Sequence, residues 1–154
     1  ISWYMGVIIG MNIRKAKKSD LDSIFSLICE LEDNIVDNNQ FCTVYINNLS
    51  DKKIYYIVAE ERGKVVGFAS MHIQLLLHHV WKIAEIQELI VTKQYQGSHL
   101  GYMFMKELTS IAVNNDCINI EVCCNRMREK SHAFYEKLGM KKSHFKFTLQ
   151  VSNI

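Results

Sequence analysis

Residues 84–106 read AEIQELIVTKQYQGSHLGYMFMK: an apolar strand, a tight turn bearing Gly97, and the opening of an amphipathic helix. The first N–H groups of a helix have no intrahelical partner, and the macrodipole turns its positive end the same way. A strand handed directly to a helix N-terminus therefore makes an anion site. Gly97 and Gly101 remove side chains where a diphosphate would have to approach the main chain closely. The strand side carries two carboxylates, Glu85 and Glu88, in an otherwise apolar run. A phosphate cradle and a pair of acids thus stand a few residues apart.

Working back from this stretch, 54–60 reads as a strand, 61–64 as a hairpin turn and 65–74 as its partner strand. Residues 75–79 link to the central strand, which starts near Trp81. Further back lie a short strand over 13–16 and a helix opened by Ser19 with Asp22. In that helix Leu21, Ile24, Phe25, Ile28 and Leu31 recur at helical spacing, and it ends near Asp33. A weaker helix follows over 39–49, with Phe41, Val44, Tyr45 and Leu49 on one face. Working forward, Leu100, Met103, Phe104, Leu108, Ile111 and Ala112 form a helix stripe that ends at Asn114-Asn115. A strand over 117–124 comes next, then a helix over 129–138 stopped by Gly139, then one or two strands over 140–151. The order β-α-α-β-β-β-α-β-α-β predicts an α/β (α+β) domain whose central mixed sheet is flanked by about four helices.

At 154 residues the chain is one domain by length. Its net charge of +2 and the lack of a basic stripe argue for no nucleic acid. The five cysteines are odd in number and form no CxxC pair, so they read as reduced thiols of a cytoplasmic protein. The opening ISWYMGVIIG has no basic residue and is too short to span a bilayer, so no membrane segment is expected. Met11 reads as the start of the domain, 11–154, with 1–10 as an extension of unassigned role.

The segment Gln94-Tyr95-Gln96-Gly97-Ser98-His99 resembles the signature Q/R-x-x-G-x-G/A of the GNAT superfamily of acyl-CoA-dependent N-acetyltransferases, with His99 in the sixth place. The family's common proline before the turn is missing here, with Lys93 near its place. The run Ala133-Phe134-Tyr135-Glu136-Lys137-Leu138-Gly139-Met140 resembles the family's second motif, with Arg128 where many members carry Asn. A closer resemblance is to bacterial aminoalkylphosphonate N-acetyltransferases. It lies in residues 27–31, in His78-His79-Val80, in Glu85-Ile86-Gln87-Glu88-Leu89 and in residues 143–148.

The resemblance implies acetyl-CoA as co-substrate and a small primary amine, such as an aminoalkylphosphonate, as acceptor. It places the diphosphate at Gln96, Gly97, Ser98, His99, Leu100 and Gly101, and the pantetheine arm along the strand edge Leu89, Ile90 and Val91. Asn125, Arg128 and Ser131 would complete the cofactor contacts. Transfer to an amine needs a base for the ammonium proton and an acid for the thiolate. The family's base falls at Glu85 in several members, and Tyr135 matches its acid. Strict alternation puts Glu85 and Glu88 on opposite faces, but the family's bulge in this strand changes that count, so both stand as candidates. His79, His144 and Lys146 are candidate contacts for an acidic acceptor. Adjacent histidines in a strand point apart, so no metal ligand set is assigned to His78-His79, and a divalent metal aiding the reaction stays open. A homodimer stays open too. Two alternatives accompany this reading. One is acetylation of a polyamine, an aminoglycoside or a protein amine. The other is a non-catalytic acyl-CoA-binding module, suggested by His99 and Arg128.

Overall fold

The structure, a computed structural model, describes residues 10–32 and 37–152. The extension expected over 1–10 lies outside the described residues except for Gly10, and so does the helix end expected near Asp33. The elements run β1 (Met11–Lys15), α1 (Leu21–Glu32), α2 (Asn38–Ser50), β2 (Ile54–Glu61), β3 (Lys64–Leu76), β4 (Trp81–Val91), α3 (Leu100–Asn114), β5 (Asn119–Val122) and α4 (Glu129–Lys137). Two compact units divide the chain, Ile1–Glu121 and Val122–Ile154.

The sheet runs in the order β1-β2-β3-β4-β5, and the first three pairings are antiparallel. Ile118 N–H donates to the Lys82 carbonyl at 3.0 Å, which starts β5 beside the start of β4. A strand returning through a helix to that end runs parallel, so the sheet is mixed. On one face Ile24 and Leu27 of α1 and Tyr45 of α2 bury against Val58, Phe68 and Ile90. On the other, Leu100, Phe104, Leu108 and Ala112 recur every four residues and form the buried stripe of α3. Gly67 lets α3 approach, since a Cβ there would stand 2.8 Å from the Phe104 ring.

Three local expectations change. The chain enters α1 through a short 3-10 turn, Lys18–Asp20, and Asp20 rather than Ser19 or Asp22 caps it by accepting from Lys17 N–H at 2.7 Å. In α2 the Asp37 carboxylate caps the start, accepting from Gln40 N–H at 2.7 Å, while Val44 turns out to solvent. The strands expected over 140–151 do not form: Phe145, Phe147, Leu149 and Val151 are 85–93% exposed. Their alternation marks one face of an extended segment, but a strand also needs a neighbour for its N–H and C=O groups. That requirement leaves no trace in a period of two.

Arg14 ties β1 to the first turn and to β2. Its guanidinium meets both Asp20 oxygens, at 2.7 and 2.9 Å, and also binds Glu60. These bonds hold the Asp20 carboxyl below the usual carboxylate range, against the opposing pull of burial. Asp20→Asn is expected to destabilise the protein by about 1.5–3 kcal/mol, the range for a hydrogen bond to a charged group. A depressed folded value contributes stability above the unfolded value, near 3.9, and loses it as pH falls through the lower folded value. Denaturant titrations should therefore show the gap between wild type and variant at pH 7 and show it closing below about pH 4. A gap that stayed constant down to pH 2 would remove the ion pair as its cause.

Candidate functional site

The cradle is built from the turn that ends β4. Thr92 N–H donates to Val66, Tyr95 N–H to Thr92, Gln96 N–H to Lys93 and Ser98 N–H to Tyr95, at 2.8–3.3 Å. The Tyr95 hydroxyl binds Glu61, which fastens the turn to the end of β2. Gly97 and His99 both adopt left-handed backbone, φ +82° and +64°. That conformation suits Gly and is uncommon for a residue with a Cβ, which is the physical reason a small residue fits the sixth signature position. Intrahelical bonding begins with Met103 N–H to the His99 carbonyl at 3.1 Å. The N–H groups of Gly97, His99, Leu100 and Gly101 consequently have no protein acceptor among the described residues. Gln96 and Ser98, expected to contribute theirs, spend them inside the turn. Four orphaned donors converging on a glycine turn and a helix start are the donor set a diphosphate requires.

Leu89, Ile90 and Val91 pair with Ala69, Phe68 and Gly67 on the β3 side. On the other side β5 is four residues long and begins beside Lys82, so its ladder ends before Leu89. The backbone groups along that edge are available to an amide-like chain.

The two carboxylates are sorted by a bulge. Ser70 pairs with Glu88 but Met71 pairs with Ile86, leaving Gln87 as the extra residue of β4. His72 in turn pairs with Glu85. Cross-strand partners share a face, and Ser70 and His72 are two apart on β3, so Glu85 and Glu88 emerge on the same face. It is the α1/α2 face. The buried Ser70 hydroxyl binds the Glu88 carboxylate and also accepts from Glu88 N–H at 3.2 Å, fixing both the bulge and the side chain. Gln74 Nε2 donates to Glu85 at 3.1 Å. Beside them the Tyr56 hydroxyl accepts from Asn48 Nδ2 at 2.6 Å, and burial, with the nearby Glu88 charge, pushes that phenol up. Ser70 and Gln74 are absent from the sequence-level site. The available signal was three polar residues, Ser70, His72 and Gln74, at spacing two in an apolar strand.

In the second unit Asn125 closes a turn, its side chain accepting from Met127 N–H and its carbonyl from Arg128 N–H, both at 2.9 Å. Arg128 stands just before α4, and Ser131, in its first turn, donates its N–H to the Arg128 carbonyl at 3.0 Å. Tyr135, on the same helix, is half-buried, and burial with the nearby Cys124 pushes its phenol up to about 12, while Arg128 opposes the shift. His144 and Lys146 lie exposed in the segment after α4, the former 2.7 Å from the Ser143 hydroxyl. In the first unit, His79 Nε2 stands 3.1 Å from Glu121. No cluster of three or more His, Cys, Asp or Glu among the described residues could hold a metal ion. No helix among them is long and apolar enough to cross a membrane.

Comparison with known proteins adds to this geometry. Residues 19–140 match the model of the Acetyltransferase (GNAT) family. The chain is 38% identical to the aminoalkylphosphonate N-acetyltransferase of Salmonella typhimurium over 88% of its own length and 88% of the relative's. It is 28% identical to the glucosamine 6-phosphate N-acetyltransferase of Candida albicans, over 86% and 90%. A Bacillus halodurans structure described as a transcriptional regulator superposes with a TM-score of 0.84 over 91% of this chain and 99% of that one; at 20% identity it shows the fold alone.

Proposed function

The chain belongs to the GNAT acetyltransferase family and is an acetyl-CoA-dependent N-acetyltransferase; from that premise we propose that its acceptor is a small primary amine bearing an anionic phosphorus group, such as an aminoalkylphosphonate. The observation that carries this is the 38% identity to an aminoalkylphosphonate enzyme over nearly the whole chain. The names of the Salmonella and Candida relatives both describe an amine joined to a phosphorus oxyanion.

Acetyl-CoA supplies an activated acetyl group and a good leaving group. The chain's own part divides as follows. The orphaned N–H groups of Gly97, His99, Leu100 and Gly101 hold the diphosphate, and the edge of Leu89 to Val91 aligns the pantetheine arm, with Asn125, Arg128 and Ser131 as further contacts. Glu85 and Glu88 receive the ammonium and remove its proton. Tyr135, the candidate acid, donates a hydrogen bond to the departing sulfur as charge gathers there. His79, His144 and Lys146 are the candidate anion contacts, although His79 already faces Glu121. A cytoplasmic location belongs to the same reading, and a homodimer is not required by it.

The two carboxylates on one face support a second reading, a polycationic acceptor such as a polyamine or an aminoglycoside. Thiol release from acetyl-CoA across an amine panel separates the two. Aminoalkylphosphonates are expected to give the highest kcat/KM, with the corresponding amines lacking the phosphonate well below them. Preference for a polyamine or an aminoglycoside would overturn the phosphonate assignment.

A further inference from the structure

The chain has six histidines. Five of them touch a neighbour: His79 faces Glu121 and lies tilted against His78, His99 packs on Tyr102, His132 bonds the Asn125 carbonyl, and His144 meets Ser143. His72 differs. Among the described residues its half-buried imidazole has no hydrogen bond, ion pair or ring contact. Yet it sits directly across β3–β4 from Glu85, on the face that also carries Glu88. Both glutamates are already occupied on one side, by Gln74 and Ser70 respectively. The other titratable groups on this face are Tyr56 of β2, Tyr45 of α2 and, at the β1 end, the Arg14 guanidinium with Asp20 and Glu60, while α1 presents Ile24 and Leu27.

We propose that His72 is a proton relay for the acceptor amine. The proposal rests on the reading of this face as the acceptor side. Glu85 takes a proton from the ammonium, so the N–H bond breaks and its electron pair stays on nitrogen for attack on the acetyl carbonyl. The new O–H of Glu85 then gives its proton to one nitrogen of the His72 imidazole, and the other nitrogen releases one to water. Glu85 returns to its anionic form and His72 to its neutral form as the other tautomer, which proton exchange with water resets, so the cycle balances.

The physical case is one of basicity and place. As a class, imidazole is a stronger base than a carboxylate by about two pK units and titrates nearest neutral pH. Proton transfer works best through a group whose pKa lies close to the operating pH. Such a neighbour gives the proton a route off a carboxylate that the bound acceptor shields from water. Opposed residues of an antiparallel pair have Cβ atoms about 4.5–5.5 Å apart, close enough for an imidazole to reach a glutamate after a rotamer change.

The test uses His72→Gln and His72→Phe in the full chain. Acetyl-CoA affinity by calorimetry should stay within about twofold, because the cradle is untouched. Turnover should fall roughly 10- to 100-fold, less than for a group acting directly on substrate. Imidazole added to the assay should restore the rate of both variants in a concentration-dependent manner and leave wild type unchanged. The variants, but not wild type, should also respond to buffer concentration. Turnover within twofold of wild type would overturn the relay, and so would a loss that imidazole does not restore. The double variant Glu85→Gln, Glu88→Gln separates the two levels. If it is as active as wild type, the reading of this face has failed. If the double variant is slow while His72→Gln is not, the relay alone has failed.

Discussion

Replacing Tyr135 by Phe is expected to lower kcat by roughly 100-fold or more, while CoA affinity stays within about twofold. The general range for one acid is roughly 100- to 10,000-fold. The state of the phenol places Tyr135 toward its lower end. Burial pushes the group up to about 12, so it is fully protonated at neutral pH and ready to donate. It is also a weaker acid than a thiol, which ionises near 8.5 as a class, so complete transfer to a thiolate is uphill. Its main contribution is therefore a hydrogen bond that strengthens as charge gathers on sulfur. The same value predicts that no descending limb below about pH 10 belongs to this tyrosine, because a raised pKa delays loss of the proton. Thiol-release kinetics paired with calorimetry would decide the matter. A variant with kcat within twofold of wild type would return Tyr135 to a packing role.

The second large effect is expected from Glu85→Gln combined with Glu88→Gln. A primary alkylammonium has a pKa near 10.4, so at pH 7 only about one acceptor in 2,500 arrives as free amine. With both carboxylates neutral, that fraction is all that can react. Turnover at pH 7 should fall by roughly 100- to 10,000-fold, and the ascending limb of the rate profile should move toward the pKa of the amine in solution. Both residues have to be changed because the bulge at Gln87 sets them on one face, where either can reach the same ammonium. Their partners distinguish the single variants. Glu88→Gln disturbs the Ser70 contacts that fix the bulge, whereas Glu85→Gln leaves them intact. A double variant with the wild-type profile would place proton removal elsewhere and withdraw both glutamates from the mechanism.

Most of the frame was legible in the amino-acid order. Strand and helix periods located the nine elements from β1 to α4 to within about two residues, and Gly139 marked the end of α4. The turn from Gln94 to His99 was legible as a candidate anion site because a glycine before a helix start is a local device: its donors are orphaned by helix geometry itself. Composition and spacing could not say which donors remain free. Gln96 and Ser98 lose theirs to carbonyls three residues back, a matter of turn conformation.

β5 and the chain after Gly139 show the limit from the other direction. The pattern of Phe145, Phe147, Leu149 and Val151 describes a strand that does not form, and the residues flanking Asn119–Val122 carry strand-like side chains outside the ladder. Periodicity states which side chains would share a face. Whether an edge accepts them depends on backbone groups contributed from elsewhere in the chain.

The sequence by itself determined the family, the mixed-sheet fold, a candidate phosphate-binding turn and the presence of two acids in the strand before it. Only the tertiary structure decided that Glu85 and Glu88 share a face, that Ser70 and Gln74 hold them, and that His72 stands opposite with no side-chain partner among the described residues. The reason is register. One extra residue in β4, paired against a strand that is contiguous in space but a hairpin away in sequence, reverses the side to which every later side chain points.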